Sequence, residues 1–136
     1  MSYYNIFLFH TIYMSCLFNS LNYFITDHNS SQIRNKICDY LQENKPIMDG
    51  LDTHTILSFE SPNSNPSKYI ENMRLMSTWG GAIEIQAACN IWKLRVVVSN
   101  HRNRGAPDIE FIPVNSAYDK TIHIYWNGGH YEPIRT

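Results

Sequence analysis

Cys16, His130 and Glu132 are the residues whose types and placement point to chemistry. Cys16 stands where an apolar helical pattern begins. Unpaired N–H groups and the dipole at a helix N-terminus favour a thiolate over a thiol, and a thiolate so placed is the usual form of an activated nucleophile. The same position also suits a small buried core side chain, because free Cys is among the most buried residue types. Position alone leaves both readings open. His130 follows Asn127-Gly128-Gly129 and opens a short β pattern. Strand side chains alternate between faces, so His130 and Glu132 point one way and Tyr131 the other. A carboxylate two residues along a strand can orient an imidazole and stabilise its charged form, which is the base-and-orienter half of a catalytic triad. A surface strand with a polar face would carry the same pattern. Asp27, Asp108 and Asp119 stay open as alternative orienting acids, although nothing in their spacing recommends them. Cys38 and Cys89 fall inside helical patterns and fit the core. His10, His28, His54 and His101 lie in arm or loop segments and His123 in a strand, and all five read as solvated or hydrogen-bonded.

The elements that must position these groups follow from periodicity. Residues 5–13 show no clear period and read as an apolar arm. From Cys16, the residues Leu17, Leu21, Phe24 and Ile25 make one apolar helical face, with Ser15 as N-cap. A second helix is expected over 31–43, with Ile33, Ile37 and Leu41 inward, Ser30 or Ser31 as cap and Pro46 soon after its end. Residues 47–66, with Asp49-Gly50 and a Ser/Pro/Asn cluster, read as mostly irregular and exposed. A short helix near 67–76 should turn Tyr69, Ile70, Met73 and Met76 inward. After the break at Thr78-Trp79-Gly80-Gly81, a helix over about 82–92 places Ile83, Ala87 and Ile91 four apart. Strands are expected at Arg95–Ser99, Ile109–Pro113, Thr121–Trp126 and 130–135. The last two are joined by a turn whose Asn-Gly start is a strong hairpin signal. Helices first and strands later give an α+β class, an α/β sandwich with helices flanking a small β-sheet.

Bulk properties narrow the function. At 136 residues the chain suits a single domain over 1–136. With 43% hydrophobic and 17% charged residues it can build one real core. Its net charge of −1 lacks the basic excess of a dedicated nucleic-acid binder. The one basic cluster, His101-Arg102-Asn103-Arg104-Gly105, reads as a solvated loop. Three widely spaced cysteines argue against a disulfide framework and suit a reducing compartment. The absence of any C-x-x-C pair, with scattered histidines, argues against a structural zinc site. The apolar first 25 residues lack a basic n-region and are interrupted by Asn5, His10, Asn19 and Asn22, so they do not read as a signal peptide. No run approaches the roughly 18 apolar residues needed to span a bilayer.

Three blocks, taken together, resemble the ovarian-tumour (OTU) family of cysteine proteases. Ser15-Cys16-Leu17-Phe18-Asn19-Ser20-Leu21 is similar to the family's nucleophile block, Asp-Gly-x-Cys-Leu-Phe followed by a helix. Trp79-Gly80-Gly81-Ala82-Ile83-Glu84-Ile85-Gln86-Ala87-Ala88 is close to its Trp-Gly-Gly-x-x-Glu-Ile/Leu-x-Ala helix, and a strand at Leu94 to Val98 follows. Ile124 to Glu132, with Gly129-His130-Tyr131, is similar to its closing strand and His-Tyr block. The blocks span residues 15 to 132 in the family order.

The resemblance implies an OTU-like, papain-type cysteine protease fold, with Cys16 as nucleophile and His130 as general base. Glu132 stands where many members have Asp or Asn. It further implies cleavage of the isopeptide bond after the C-terminal Gly-Gly of ubiquitin or a ubiquitin-like modifier, through a thioester and without metal or organic cofactor. The expected protein is a monomer in the cytoplasm (the host's, for a viral chain) that engages neither nucleic acid nor membrane. Trp79, Gly80 and Gly81, together with Trp126 and Asn127, are candidate walls of the channel for the modifier's tail, with packing and turn formation as the alternative. Besides Glu132, the chain departs from the family pattern in two respects. Tyr13-Met14 replaces the Asp-Gly that helps form the oxyanion hole, where Gly tolerates backbone angles that Met does not. Little chain precedes Cys16, which implies a domain trimmed on that side. A catalytically weak or inactive OTU-like module that binds ubiquitin without cleaving it is therefore the second reading. A small structural α+β protein, in which Cys16 and His130 lie far apart, is the third.

Overall fold

The structure is a computed structural model that describes residues 15–60, 65–103 and 105–135. The expected arm at 5–13, Tyr13-Met14, His10, residues 61–64 and Arg104 lie outside the described residues.

Helix α1 (Cys16–Phe24) begins where the apolar pattern begins. Leu17, Phe18 and Leu21 are fully buried along its inner face. Ser15 sits at the N-cap position but makes no side-chain cap. Its hydroxyl instead donates to the Met76 carbonyl at 3.0 Å, tying the helix start to a neighbouring loop. Helix α2 (Ser30–Gln42) is capped by Asn29 rather than by either serine. Asn29 Oδ1 accepts from Gln32 N while Gln32 Oε1 accepts from Asn29 N, a reciprocal box that neither serine can make with Gln32 at this spacing. Ser30 Oγ bonds Asn19 on α1.

The described part of the stretch expected to be irregular is largely ordered through residue 60. Strands β1 (Pro46–Met48) and β2 (Leu51–Asp52) pair antiparallel around Asp49-Gly50, where Gly50 takes φ +77°. Helix α3 (Thr53–Glu60) follows. Asp52 Oδ1 accepts from Thr55 N, and Thr53 and Leu57, one turn apart, are both buried. An Asp cap and two buried positions one turn apart thus override the turn-rich composition around them. Helix α4 (Pro66–Met73) buries Ile70 and Met73, but Met76 lies beyond its end and is exposed. Helix α5 (Ala82–Trp92) buries Glu84, Ile85, Ala88 and Cys89 along with Ala87, while Ile83 and Ile91 are only partly covered. Its buried face is thus rotated toward Glu84 because that carboxylate is held inside.

Strands β3 (Leu94–Asn100), β4 (Ile109–Phe111), β5 (Lys120–Trp126) and β6 (Tyr131–Pro133) form a mixed sheet in the order β4-β3-β5-β6. The β3–β5 pair is parallel and the two outer pairs are antiparallel. Leu94, Val96 and Val98 on β3, with Ile122 and Ile124 on β5, face one core shared with the inner faces of α1, α2 and α5. Cys38 and Cys89 lie in that core. The fold is α+β, with helices packed against a small sheet, as the element order implied.

Candidate active site

The turn after β5 brings the two ends of the chain's chemistry together. Asn127 N donates to the His130 carbonyl at 3.2 Å, and Gly129 N donates to Asn127 Oδ1 at 3.3 Å. Gly128 adopts φ +105°, which L side chains rarely take, and an added Cβ would lie 2.8 Å from Arg102 Cδ. The loop is longer than a two-residue hairpin, so Trp126 pairs with Tyr131 and His130 sits in the turn just ahead of β6. The alternation argument still holds one residue outside the strand: His130 Nε2 lies 2.8 Å from Glu132 Oε1. An ionised carboxylate only accepts, so Nε2 is the protonated nitrogen and donates.

Helix α1 packs against β6. Tyr131 N donates to Cys16 Sγ at 3.3 Å. Cys16, His130 and Glu132 line one open cavity of about 440 Å³, with Asn19 and Tyr23 on the α1 side and Arg135 on the strand side. Asp27, Asp108 and Asp119 do not line it. Asp27 is paired with His28 at 2.9 Å instead.

The electrostatics at Cys16 differ from the expectation of a preformed thiolate. The residue is only 7% exposed. Burial raises its thiol above the ordinary range, and the nearby Glu132 charge adds to that. The backbone N–H groups of Tyr131, Leu17 and Cys16 itself pull the other way without overcoming burial. The helix-terminal stabilisation exists but loses to desolvation, so the resting group is a thiol. Burial holds Cys38 and Cys89 far higher still, at about 11 and about 12, as suits core side chains.

The other candidate residues lie elsewhere. Trp79, Gly80, Gly81, Trp126 and Asn127 are not among the cavity's lining residues. Trp79 is exposed on the loop before α5. Gly80 runs so close beneath α1 that an added Cβ would meet Leu17 Cδ2 at 2.7 Å and Phe18 Cζ at 2.9 Å. Gly81 N donates to Glu84 Oε1 at 2.7 Å, and Tyr69 Oη donates to Glu84 Oε2 at 2.8 Å. Trp126 packs partly against the core.

Sequence reasoning missed Arg34. It reads as a polar residue between the apolar positions of α2, yet it is 2% exposed. Its Nη1 donates to the carbonyls of Met73 and Thr78, both at 2.9 Å, and Nη2 to Met76 O and Ser15 Oγ, both at 3.3 Å. The guanidinium also lies 4.1 Å from the Phe18 ring centroid. One buried cation thus anchors the α4–α5 loop to the residue preceding Cys16. The only sequence signal was its placement beside Ile33, one step round the buried face.

Among the described residues, no group of three or more His, Cys, Asp or Glu side chains is arranged to hold a metal ion. None of the described helices is long and apolar enough to cross a membrane.

Comparison with known proteins bears on the fold and the family. The chain is 31% identical over 132 residues to the ubiquitin thioesterase otu2 of Schizosaccharomyces pombe, an alignment covering 88% of this chain and 42% of that protein. The chain therefore spans less than half the length of that relative. Among solved structures, it resembles an OTU deubiquitinase from Wolbachia pipientis wMel bound to ubiquitin, with a TM-score of 0.65 at 20% identity over 90% of each chain. It also resembles an OTU domain in complex with ubiquitin, with a TM-score of 0.64 at 22% identity over 88% of this chain and 62% of the other. The family model for OTU-like cysteine proteases matches residues 15–131, a span that begins next to Cys16 and ends next to His130, and the chain belongs to that family.

Proposed function

We propose that this chain is a deubiquitinating cysteine protease that hydrolyses the isopeptide bond after the C-terminal Gly of ubiquitin or a ubiquitin-like modifier. The observation that carries the reading is the grouping of Cys16 with a His130 imidazole whose Nε2 is already held by Glu132 at 2.8 Å, all lining one open cavity. The relatives named for ubiquitin, by enzyme name or by complex, supply the substrate class.

The steps follow from which nitrogen is engaged. Glu132 occupies Nε2, so proton exchange with Cys16 falls to Nδ1. His130 takes the thiol proton as the sulfur attacks the glycine carbonyl, and Glu132 stabilises the imidazolium. Backbone N–H groups at the start of α1 receive the oxyanion. The C–N bond then breaks, and the lysine amine leaves with the proton from His130. Water attacks the thioester, again giving its proton to His130, and releases the modifier's carboxylate and the Cys16 thiol. The reading requires no metal or organic cofactor. It places the protein in the cytoplasm as a monomer, with ubiquitin rather than nucleic acid or membrane as partner. Trp79, Gly80, Gly81, Trp126 and Asn127 remain candidates for walls of the tail channel.

A second reading, an OTU-shaped module that binds ubiquitin without turnover, is favoured by the raised Cys16 thiol and by Tyr13-Met14 in place of Asp-Gly. Loss of one oxyanion donor costs on the order of a hundredfold in rate. Incubation with ubiquitin bearing a thiol-reactive C-terminal group separates the two. An adduct formed by the native chain and not by Cys16→Ala supports the enzyme. Binding without an adduct supports the module.

A further inference from the structure

The acid of the site is poorly restrained by its own strand. Glu132 has one more methylene than an aspartate, and its side chain is 45% exposed, so an unaided carboxylate would turn toward water. The fold supplies a second contact. Tyr125 on β5 is the cross-strand partner of Glu132 on β6, and directly opposed residues project on the same face within side-chain reach. The phenol of Tyr125 is thereby placed on the same face of the sheet as the Glu132 carboxylate. The phenol is restrained in turn. The His101 ring stacks on it with centroids 4.3 Å apart and planes 10° from parallel. His101 N donates to the Trp126 carbonyl at 2.8 Å, which fixes the start of the β3–β4 loop against β5. The loop that reads from sequence as merely solvated and basic thus reaches the active-site turn at two points, through His101 on Tyr125 and through Arg102 across Gly128.

We propose that Tyr125 is a positioning residue for the active-site acid: its hydroxyl holds the Glu132 carboxylate where it receives the His130 Nε2–H, and His101 holds the phenol in place. Burial and the Glu132 charge both keep the phenol protonated above the ordinary tyrosine range, so it serves as a donor throughout neutral pH. The proposal rests on the catalytic reading of Cys16, His130 and Glu132, but its first test does not require turnover.

The imidazole 15N spectrum of the 136-residue chain reports the His130 tautomer, with the signal assigned by its loss in His130→Asn. The native chain is expected to hold the Nε2–H form. Tyr125→Phe, which keeps the ring, is expected to give a mixture of tautomers, and His101→Ala part of the same change, while His101→Phe restores the native pattern. In turnover, Tyr125→Phe should lower kcat about fivefold, the worth of one net hydrogen bond, with KM unchanged. That loss should vanish in a Glu132→Ala background, because the residue then has nothing to position. An unaltered His130 spectrum in Tyr125→Phe would overturn the proposal, as would an equal loss of kcat with and without Glu132. If the native chain proves inactive, the catalytic reading fails while the spectrum still decides whether Tyr125 orders the Glu132–His130 pair.

Discussion

The backbone N–H of Tyr131 donates to Cys16 Sγ across 3.3 Å, joining residues 115 apart in the chain. The first residue of the last strand thus touches the sulfur at the start of the first described helix, and the site exists only once the sheet has closed against α1. Because burial outweighs that bond, the thiol titrates above its ordinary range. The thiolate fraction should therefore keep rising with pH through neutrality, by about tenfold per unit, without levelling off there. Alkylation by iodoacetamide, followed by mass spectrometry, should track that rise. It should modify Cys16 in the folded chain, reaching Cys38 and Cys89 only in denaturant. A plateau already present near pH 6 would instead reveal a preformed thiolate–imidazolium pair.

His130 and Glu132 act as base and orienter, so their substitutions should differ in kind. His130→Ala removes the proton carrier and should lower kcat on the order of a hundredfold or more. Glu132→Gln keeps an acceptor oxygen but loses the charge that stabilises the imidazolium, so its loss should be smaller. Steady-state kinetics on a ubiquitin C-terminal fluorogenic substrate would show both as changes in kcat with KM nearly constant. Equal losses would argue that Glu132 also organises the turn.

Tyr125 gives a direct probe of the Glu132 charge. Burial is the larger cause of its raised phenol titration, and the charge of the carboxylate beside it adds to it. Glu132→Gln removes the charge, which lowers the phenol back toward its ordinary value without reaching it. A 13C titration of labelled tyrosine should show this downward movement. No movement would separate the two side chains.

Much of this site was legible in sequence because its parts are local. The two-residue spacing of His130 and Glu132 fixes their shared face, although His130 itself lies one residue ahead of β6. The Cys16 position fixes the start of α1, and Asn127-Gly128 marks the reversal between the last two strands. What stayed hidden depends on long-range packing. Composition alone made 47–66 look irregular, because the signal of α3 is one Asp cap and two buried positions rather than a long stripe. The state of the Cys16 thiol follows from burial, which no local pattern reports. The inward rotation of α5 follows from Glu84, a carboxylate 1% exposed, whose partners Gly81 and Tyr69 come from the preceding loop and from α4. The anchoring of Ser15 follows from Arg34, 19 residues on.

Gly80 is required by close approach rather than by backbone angle. Gly80→Ala would drive a methyl group into Leu17 and Phe18, both in the first turn of α1. Overpacking of this kind costs about 1–3 kcal/mol, so thermal unfolding should move down by several degrees. The displaced element carries Cys16, so adduct formation with the ubiquitin probe should slow even well below the melting temperature. A variant with native stability and native capture would show that the loop yields without disturbing the helix.

Arg34 sets how firmly that same helix start is held. Arg34→Met preserves much of the side chain's bulk but strips the donors from Met73 O, Thr78 O, Met76 O and Ser15 Oγ. Met76 O keeps the Ser15 hydroxyl as its donor, but Met73 O and Thr78 O lose theirs, and at about 1–3 kcal/mol for each buried acceptor left without a partner the expected loss is at least about 2 kcal/mol. Urea unfolding would register this as a lower midpoint with the slope unchanged. Hydrogen exchange should locate the loosening in residues 74–79 and in the first turn of α1, leaving the β3–β5 pair protected. Loosening spread evenly over the whole chain would instead make Arg34 a general core residue, with no particular hold on the segment that presents Cys16.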